Sequence, residues 1–258
     1  MDLERIRHLL DTSLETLEGL NSDRKHEFDV LISLEASALE TAFYQDGATK
    51  YENKQMYRDS LAELEANLDD LPEKYQDLIQ QHVKLRDQIN DMMTLSSDSK
   101  KAVRDYIRGT DGEGEYLYET MNKKLTREKP LTEKEETLFK DLYQAFKHIK
   151  PLEEDMTFYR GVKSGRILDN HFKHKIRQFV STSLTLRPTK TFSIGGGFTM
   201  AIHVPAGSRI LPLFVVNQDE EEVLLPPGGR FELIDTDEET RNVDVMYIPS
   251  DKDSCVVS

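Results

Sequence analysis

The chain has 258 residues and is 37% hydrophobic, so it is long enough to bury the core of one large domain or two small ones. Its single cysteine, Cys255, excludes a disulfide framework and suits a reducing compartment. The net charge is −14, no apolar run approaches the length of a membrane helix, and "MDLERIRHLL" lacks the apolar block of a secretory signal.

The first 98 residues are acidic and show a helical pattern. They contain 22 acidic and 10 basic residues, so this part should repel nucleic acid and anionic membrane surfaces. Apolar residues recur every three or four positions, as in Leu61, Leu64 and Leu68, which lines one face of a helix. We expect these stripes to pack between neighbouring helices. A partner-binding coiled coil is the alternative, although the heptads are short and interrupted.

The stretch "LSSDSKK", residues 95–101, interrupts the helical pattern. Its Ser and Asp residues are typical helix caps, so we expect a helix to begin near Lys100. We place a boundary there. Residues 1–98 then form an acidic, all-helical region of unknown role that is available to a protein partner, and residues 99–258 form a second domain.

After residue 155 the pattern changes from helical to strand-like. Short segments rich in β-branched and aromatic residues, separated by Gly, Pro and Asp clusters, predict strands joined by tight turns. These segments are "FVSTSL", "FTMAIHVP", "RILPLFVV", "EVLLPP", "RFELID" and "VDVMYI". No long helical pattern falls between successive strands, so a parallel βαβ arrangement is not expected. Helices followed by strands predict an α+β fold with largely antiparallel sheets.

Two stretches in this half contain residue types that suit ligand binding. In "TFYRGV", Arg160 offers a rigid fork of donors that suits phosphate, and Gly161 lets a ligand approach the backbone closely. In "FVSTSL", Ser181, Thr182 and Ser183 place hydroxyls on both faces of a strand. At least one hydroxyl therefore points inward and needs a hydrogen-bond partner. Taken alone, the first stretch also fits a surface arginine before a turn, and the second also fits an edge strand with solvated hydroxyls.

A third stretch, "QDEEEVLLPPGGRFEL", runs four acidic residues straight into an apolar strand. Glu220 and Glu222 are two positions apart, so on an extended chain they project to the same side. Glu221 between them is also acidic, and charge alone does not decide which pair matters. Glu222 directly precedes Val223, which favours Glu222 as the partly desolvated acid.

In this order, the three stretches resemble the ADP-ribosyltransferases of the Arg–Ser–Glu class. That family has an aromatic-Arg-Gly at the end of its first strand, then an S-T-S strand, then Glu-x-Glu before a "VLLPPG"-like strand. The resemblance covers roughly residues 100–250. It includes "AVRDYIRG" and "YLYETMNKKL", which resemble the helices that lead into the sheet in this family. Tyr106 and Asn122 fit their places in those helices. It implies a split β-sandwich of two antiparallel sheets over residues 99–258, with NAD⁺ in the cleft between them.

The resemblance also implies catalytic roles. Glu222 matches the carboxylate that stabilises the oxocarbenium-like cation formed when nicotinamide leaves the ribose. Ser181 matches the serine that holds this carboxylate in place. Glu220 matches the carboxylate that receives the nucleophile. A carboxylate at position 220 indicates an arginine acceptor. A protonated guanidinium is a poor nucleophile, so a carboxylate must orient it and draw off its positive charge before it can attack.

The resemblance further implies how NAD⁺ is held, with no metal involved. Arg160 matches the arginine that grips the phosphate and ribose side of NAD⁺. Gly161 would offer its backbone to the nicotinamide amide, while Thr182 and Ser183 would shape the nicotinamide pocket. The loop "LTLRPTKTFSIGGG" is expected to cover the nicotinamide and the phosphates.

The expected activity is therefore mono-ADP-ribosylation of a protein arginine, a glycosyltransferase reaction. Three alternatives stay open: NAD⁺ hydrolysis with water as acceptor, modification of ubiquitin as a first step towards a phosphoribosyl linkage, and a non-catalytic helical interaction protein with a degenerate transferase fold. The expected location is the cytoplasm, or the cytosol of a host cell for a secreted or viral effector. The C-terminal "CVVS" fits a prenylation box, so membrane association is expected only if Cys255 is modified.

Overall fold

The computed structural model describes residues 43, 48–66, 68–70, 73–110, 114–162, 175–186, 197–216, 221–237 and 239–250. Most of the loop after the S-T-S strand, Glu220 and Cys255 lie outside these residues. The helices are α1 (Ala48–Ala66), α2 (Glu73–Lys84), α3 (Arg86–Met93), α4 (Ser97–Arg108), α5 (Leu117–Thr126) and α6 (Glu133–His148). The strands are β1 (Met156–Val162), β2 (Val180–Ser183), β3 (Phe198–Val204), β4 (Leu211–Pro212), β5 (Glu222–Leu225), β6 (Arg230–Asp237) and β7 (Asn242–Ile248).

Helix α4 begins where the sequence predicts a cap. The Ser96 hydroxyl accepts a hydrogen bond from the Ser99 backbone N–H at 3.2 Å, which satisfies one of the free N–H groups of the first turn. The predicted cap is confirmed. The helix itself starts at Ser97, slightly earlier than the expected Lys100, because the first available serine takes the capping position.

A buried ion pair joins α5 to α6 and so fixes a helix that borders the candidate site. The Lys124 ammonium lies 2.7 Å from the Glu135 carboxylate, whose side chain is only 3% exposed. Glu135 also accepts from the backbone N–H of Thr132 at 2.7 Å, closing the capping box of α6. Burial alone would raise the pKa of Glu135, but the bonds from Lys124 and Thr132 outweigh it and the pKa is lowered.

We expect Glu135→Gln to lower the free energy of unfolding by about 1–3 kcal/mol at neutral pH, because a charge-assisted contact is lost. A lowered carboxyl pKa stabilises the fold fully above its unfolded value of about 4.3, and this contribution disappears as pH falls through the lower, folded pKa. The difference from wild type in urea unfolding should therefore shrink at acidic pH. The control is Glu136→Gln, since Glu136 pairs with Lys140 on the exposed face. A difference that stays constant into acid would contradict this assignment.

The strands form one hydrogen-bonded sheet in the order β4-β5-β2-β1-β3-β7-β6. It consists of a three-stranded lobe (β4, β5, β2) and a four-stranded lobe (β1, β3, β7, β6) that are joined by a single register pair, Tyr159↔Ser183. The α+β class is confirmed. The expectation of two separate, antiparallel sheets needs correction, because hydrogen bonds cross between the lobes and β3 runs parallel to β7.

The parallel pair follows from the path of the chain. After β3 the chain builds β4 and β5 in the other lobe and then returns through the β6–β7 hairpin. This long connection through the other lobe replaces the crossover helix that usually joins parallel strands. Strand β7 therefore runs parallel to β3. The expected strand "RILPLFVV" is also shorter than predicted. Only Leu211–Pro212 pairs, since proline has no N–H to extend the ladder, and a 3₁₀ turn follows at Leu213–Val215.

Buried side chains from both sides of residue 98 form one hydrophobic core. The His82 ring of α2 stacks on Phe214 with the ring centroids 4.7 Å apart. The Gln88 side chain of α3 donates to the Pro151 carbonyl at 3.0 Å, just before the sheet begins. This shared core crosses the boundary predicted at residue 98, so we expect residues 99–258 to need the preceding helices in order to fold. None of the described helices is long and apolar enough to cross a membrane.

Candidate active site

A cleft of about 740 Å³ lies where β1, β2 and β5 face helices α4 and α5. Its volume falls within the usual range for small-molecule and cofactor sites. It is lined by most of the residues singled out from the sequence: Tyr106, Asn122, Arg160, Gly161, Ser181, Thr182, Ser183 and Glu222. The structure therefore brings these residues together from segments that are distant in the chain. Glu220 lies outside the described residues.

The pairing of β2 with β5 sets the direction of each hydroxyl. Ser183 lies directly opposite Glu222, so the two side chains share a face of the sheet, and Ser181 shares that face because it is two residues earlier. Thr182 points the other way, where its buried hydroxyl donates to the Val223 carbonyl at 2.6 Å. The prediction that one hydroxyl points inward and finds a partner is confirmed for Thr182.

Arg160 supplies the positive charge beside this carboxylate. Its guanidinium donates through Nη1 to the Ser181 carbonyl at 2.5 Å. Burial lowers the pKa of Arg160, while the neighbouring Tyr106 and Glu222 act in the opposite direction. An arginine keeps its charge despite such a decrease, because its ordinary pKa exceeds 12. Within the cleft, the Arg160 guanidinium thus lies near a buried carboxylate, that of Glu222, which is only 8% exposed.

Tyr106 connects helix α4 to the face of the sheet that carries Ser181 and Glu222. Burial raises the pKa of its hydroxyl, the charge of Glu222 raises it further, and hydrogen bonds with Asn122 and Ser181 oppose the increase. Asn122 donates to the Tyr106 hydroxyl at 3.2 Å, and its side-chain carbonyl accepts from the Phe179 backbone N–H at 3.2 Å. Tyr106 therefore stays protonated at neutral pH, within reach of both Ser181 and Glu222.

Aromatic residues that the sequence reading did not select cover another wall of the cleft. Tyr116 stacks on Tyr118 with centroids 5.6 Å apart, and Tyr118 packs on Tyr106 at 5.6 Å. Phe179 meets the edge of Tyr106 at 5.8 Å. Tyr116 is nevertheless 48% exposed, which leaves aromatic surface available to a flat ligand. In the sequence, the closely spaced pair of tyrosines in "EYLYETMN" is the feature that indicates this aromatic wall.

The turn after β5 is hydrogen-bonded to the segment that precedes β2. Gly228 adopts a φ of 107°, a conformation that favours glycine. Its N–H donates to the Ile176 carbonyl at 2.7 Å, and the Ile176 N–H donates to the Gly229 carbonyl at 2.7 Å. A Cβ at Gly229 would lie 2.6 Å from the Tyr247 ring, so only glycine fits. The segment before β2 is thereby fastened to the turn that ends β5.

Glu221 and Glu222, although adjacent and of the same type, have different surroundings in the structure. Glu222 lines the cleft, whereas the Glu221 carboxylate accepts a hydrogen bond from the Thr185 hydroxyl. This separation supports Glu222 as the acid that faces the ligand. Among the described residues, no group of three or more His, Cys, Asp and Glu side chains is arranged to hold a metal ion.

An α+β fold with this cleft is that of an ADP-ribosyltransferase. A sequence model of the family described as NAD:arginine ADP-ribosyltransferase matches residues 24–255. The chain belongs to this family, whose co-substrate is NAD⁺. A search of curated protein sequences gives no match.

Solved structures with a similar fold are ADP-ribosylating toxins. A mutant form of C2-I, the enzymatic component of the C2 toxin from Clostridium botulinum, has a TM-score of 0.50 and 18% identity over 66% of this chain and 47% of that chain. Plx2a, an ADP-ribosyltransferase toxin from Paenibacillus larvae, has a TM-score of 0.48 and 16% identity over 67% of this chain and 96% of that chain. BECa of C. perfringens, solved with NADH, has a TM-score of 0.47 and 17% identity over 65% of this chain and 47% of that chain. The present chain thus spans about half the length of C2-I and BECa.

Proposed function

We propose that the chain transfers ADP-ribose from NAD⁺ to an arginine side chain of a protein and releases nicotinamide. The observation that supports this most strongly is the meeting of Arg160, Ser181 and Glu222 in one cleft. A half-buried cation and a buried carboxylate that line the same cleft suit a ligand that has anionic phosphates at one end and develops positive charge at the other.

In the first step the bond between the nicotinamide nitrogen and the ribose C1′ breaks, and nicotinamide leaves with the electron pair. The ribose then carries an oxocarbenium-like positive charge. The Glu222 carboxylate stabilises this charge, and its burial strengthens the interaction because little water competes. Ser181 holds the Glu222 carboxylate in place, and Arg160 binds the phosphates. Gly161 and Ser183 shape the space for the nicotinamide, and Thr182 supports that part of β2 through its bond to the Val223 carbonyl.

In the second step a guanidine nitrogen of the acceptor attacks C1′ and forms the new N-glycosidic bond. The guanidinium must lose a proton to become a nucleophile, and we assign that proton to Glu220. We assign Glu220 to the same reaction centre because it precedes Glu222 by only two residues in the sequence. We propose a cytosolic protein as the acceptor, belonging to the producing cell or to a host cell.

The proposal is tested by supplying wild-type protein with labelled NAD⁺ and one small acceptor at a time. The guanidine compound agmatine should acquire ADP-ribose and should speed nicotinamide release, whereas asparagine amide should remain unmodified. Nicotinamide release without any adduct would instead identify an NAD⁺ hydrolase. Absence of nicotinamide release in every mixture would identify a non-catalytic protein.

A further inference from the structure

Glu221, the acid directly before Glu222, occupies an unusual backbone conformation. Its φ is 48°, in the left-handed region that residues other than glycine rarely adopt. Such a conformation persists when neighbouring contacts hold it. Two contacts do so here. The Glu221 carbonyl accepts from the Leu184 N–H at 3.0 Å, and its carboxylate accepts from the Thr185 hydroxyl at 2.5 Å.

These contacts continue the β2–β5 pairing beyond its last register pair. Ser183 lies opposite Glu222, and the Leu184 to Glu221 hydrogen bond comes immediately after that pair. Glu222 is the first residue of β5, so no earlier strand residue fixes the direction in which its side chain leaves the backbone. That direction depends on the conformation of Glu221, the residue just before it.

We propose that Thr185 and Glu221 form a clamp that positions the Glu222 carboxylate against the ribose of NAD⁺. Both are positioning residues, because they act through Glu222 and do not line the cleft themselves. The clamp also turns the Glu221 carboxylate towards Thr185, so that the second of these adjacent negative charges is held outside the cleft. The inference rests on the proposed function, in which Glu222 stabilises the developing cation.

The hydroxyl of Thr185 is the simplest part to test. Thr185→Val removes the donor at nearly constant volume, and Thr185→Ser retains it. Steady-state nicotinamide release from NAD⁺ should show a kcat about tenfold lower for Thr185→Val, with KM for NAD⁺ changed by less than about twofold, because misplacement of Glu222 affects the transition state rather than binding. Thr185→Ser should keep at least about half of the wild-type kcat. Thr137→Val on α6, which removes a hydroxyl bonded to the Glu133 carbonyl, is the matched control and should equal wild type.

A second variant tests the pairing itself. Glu221→Gly removes the carboxylate yet accepts a positive φ without strain, so it should lower kcat by a similar factor of about ten. The double variant Thr185→Val/Glu221→Gly should be no slower than either single variant, since the two groups act as one unit. Thermal unfolding of each variant establishes that it is folded.

The outcomes separate the clamp from the activity on which it rests. A wild-type kcat in Thr185→Val, or single-variant losses that multiply to about a hundredfold in the double variant, would overturn the clamp alone. A KM increase without a fall in kcat would also overturn it. Wild-type protein that releases no nicotinamide would overturn the proposed function and the clamp together.

Discussion

Glu222→Gln should abolish both nicotinamide release and transfer of ADP-ribose to arginine. The substitution keeps the shape of the side chain and much of its hydrogen bonding, but it removes the negative charge that both reactions need in the transition state. Loss of one such preorganised group costs on the order of a hundred- to a thousandfold in rate. The affinity for NAD⁺ should change little, because Arg160 and Gly161 supply most of the binding contacts in this account.

The measurement is nicotinamide release with and without a guanidine acceptor, together with equilibrium binding of NAD⁺. Glu232→Gln is a suitable control, since Glu232 is an exposed acid on β6 that pairs with Arg230 at 2.8 Å and does not line the cleft. The control should keep wild-type activity. Full activity in Glu222→Gln would contradict the assignment of this cleft as the reaction centre.

Deleting residues 1–98 should prevent the remaining chain from folding. Six of the side chains removed are almost completely buried in the same core as the sheet: Tyr57, Leu61, Ile79, Leu85, Ile89 and Met92. Burial of a large apolar side chain stabilises a fold by about 1.5–3 kcal/mol, so these six contribute roughly 9–18 kcal/mol. That sum matches or exceeds the net stability of about 5–15 kcal/mol typical of a protein domain.

Circular dichroism and thermal unfolding of a fragment of residues 99–258 test this expectation against the full chain. The fragment should lack a cooperative unfolding transition and should not consume NAD⁺. A soluble fragment that melts cooperatively and releases nicotinamide would show that residues 99–258 are a complete catalytic domain. The acidic helices would then be free to serve another purpose, such as binding a partner.

Strands β2 and β5 and the burial of Glu222 were predictable because their signals are local. Strands β2 and β5 show as short β-branched or apolar runs that end at turn residues, and the burial of Glu222 follows from its position directly before Val223. Arg160 and Ser181 were singled out as residue types that suit ligand binding, but only the resemblance of three short stretches to one family gave them roles. Each stretch alone was equally typical of an exposed turn or an edge strand.

The remaining features depend on contacts between distant segments. The parallel pairing of β3 with β7 has no local signal, because the path through the other lobe decides it. Likewise, the place of Tyr118 and Phe179 in the cleft depends on how α4 and α5 pack against the sheet. Glu221 and Glu222 are identical in type and differ in role only because the backbone at Glu221 turns its side chain towards Thr185.

The most direct test of the account compares nicotinamide release with arginine labelling in Glu220→Gln. If Glu220 accepts the proton of the attacking guanidinium and Glu222 stabilises the ribose cation, this variant loses labelling of arginine yet still releases nicotinamide slowly to water. Water attacks a cation that has already formed and needs less assistance than a protonated guanidinium. Equal loss of both activities in Glu220→Gln, or undiminished labelling of arginine, would contradict the division of the reaction between the two carboxylates.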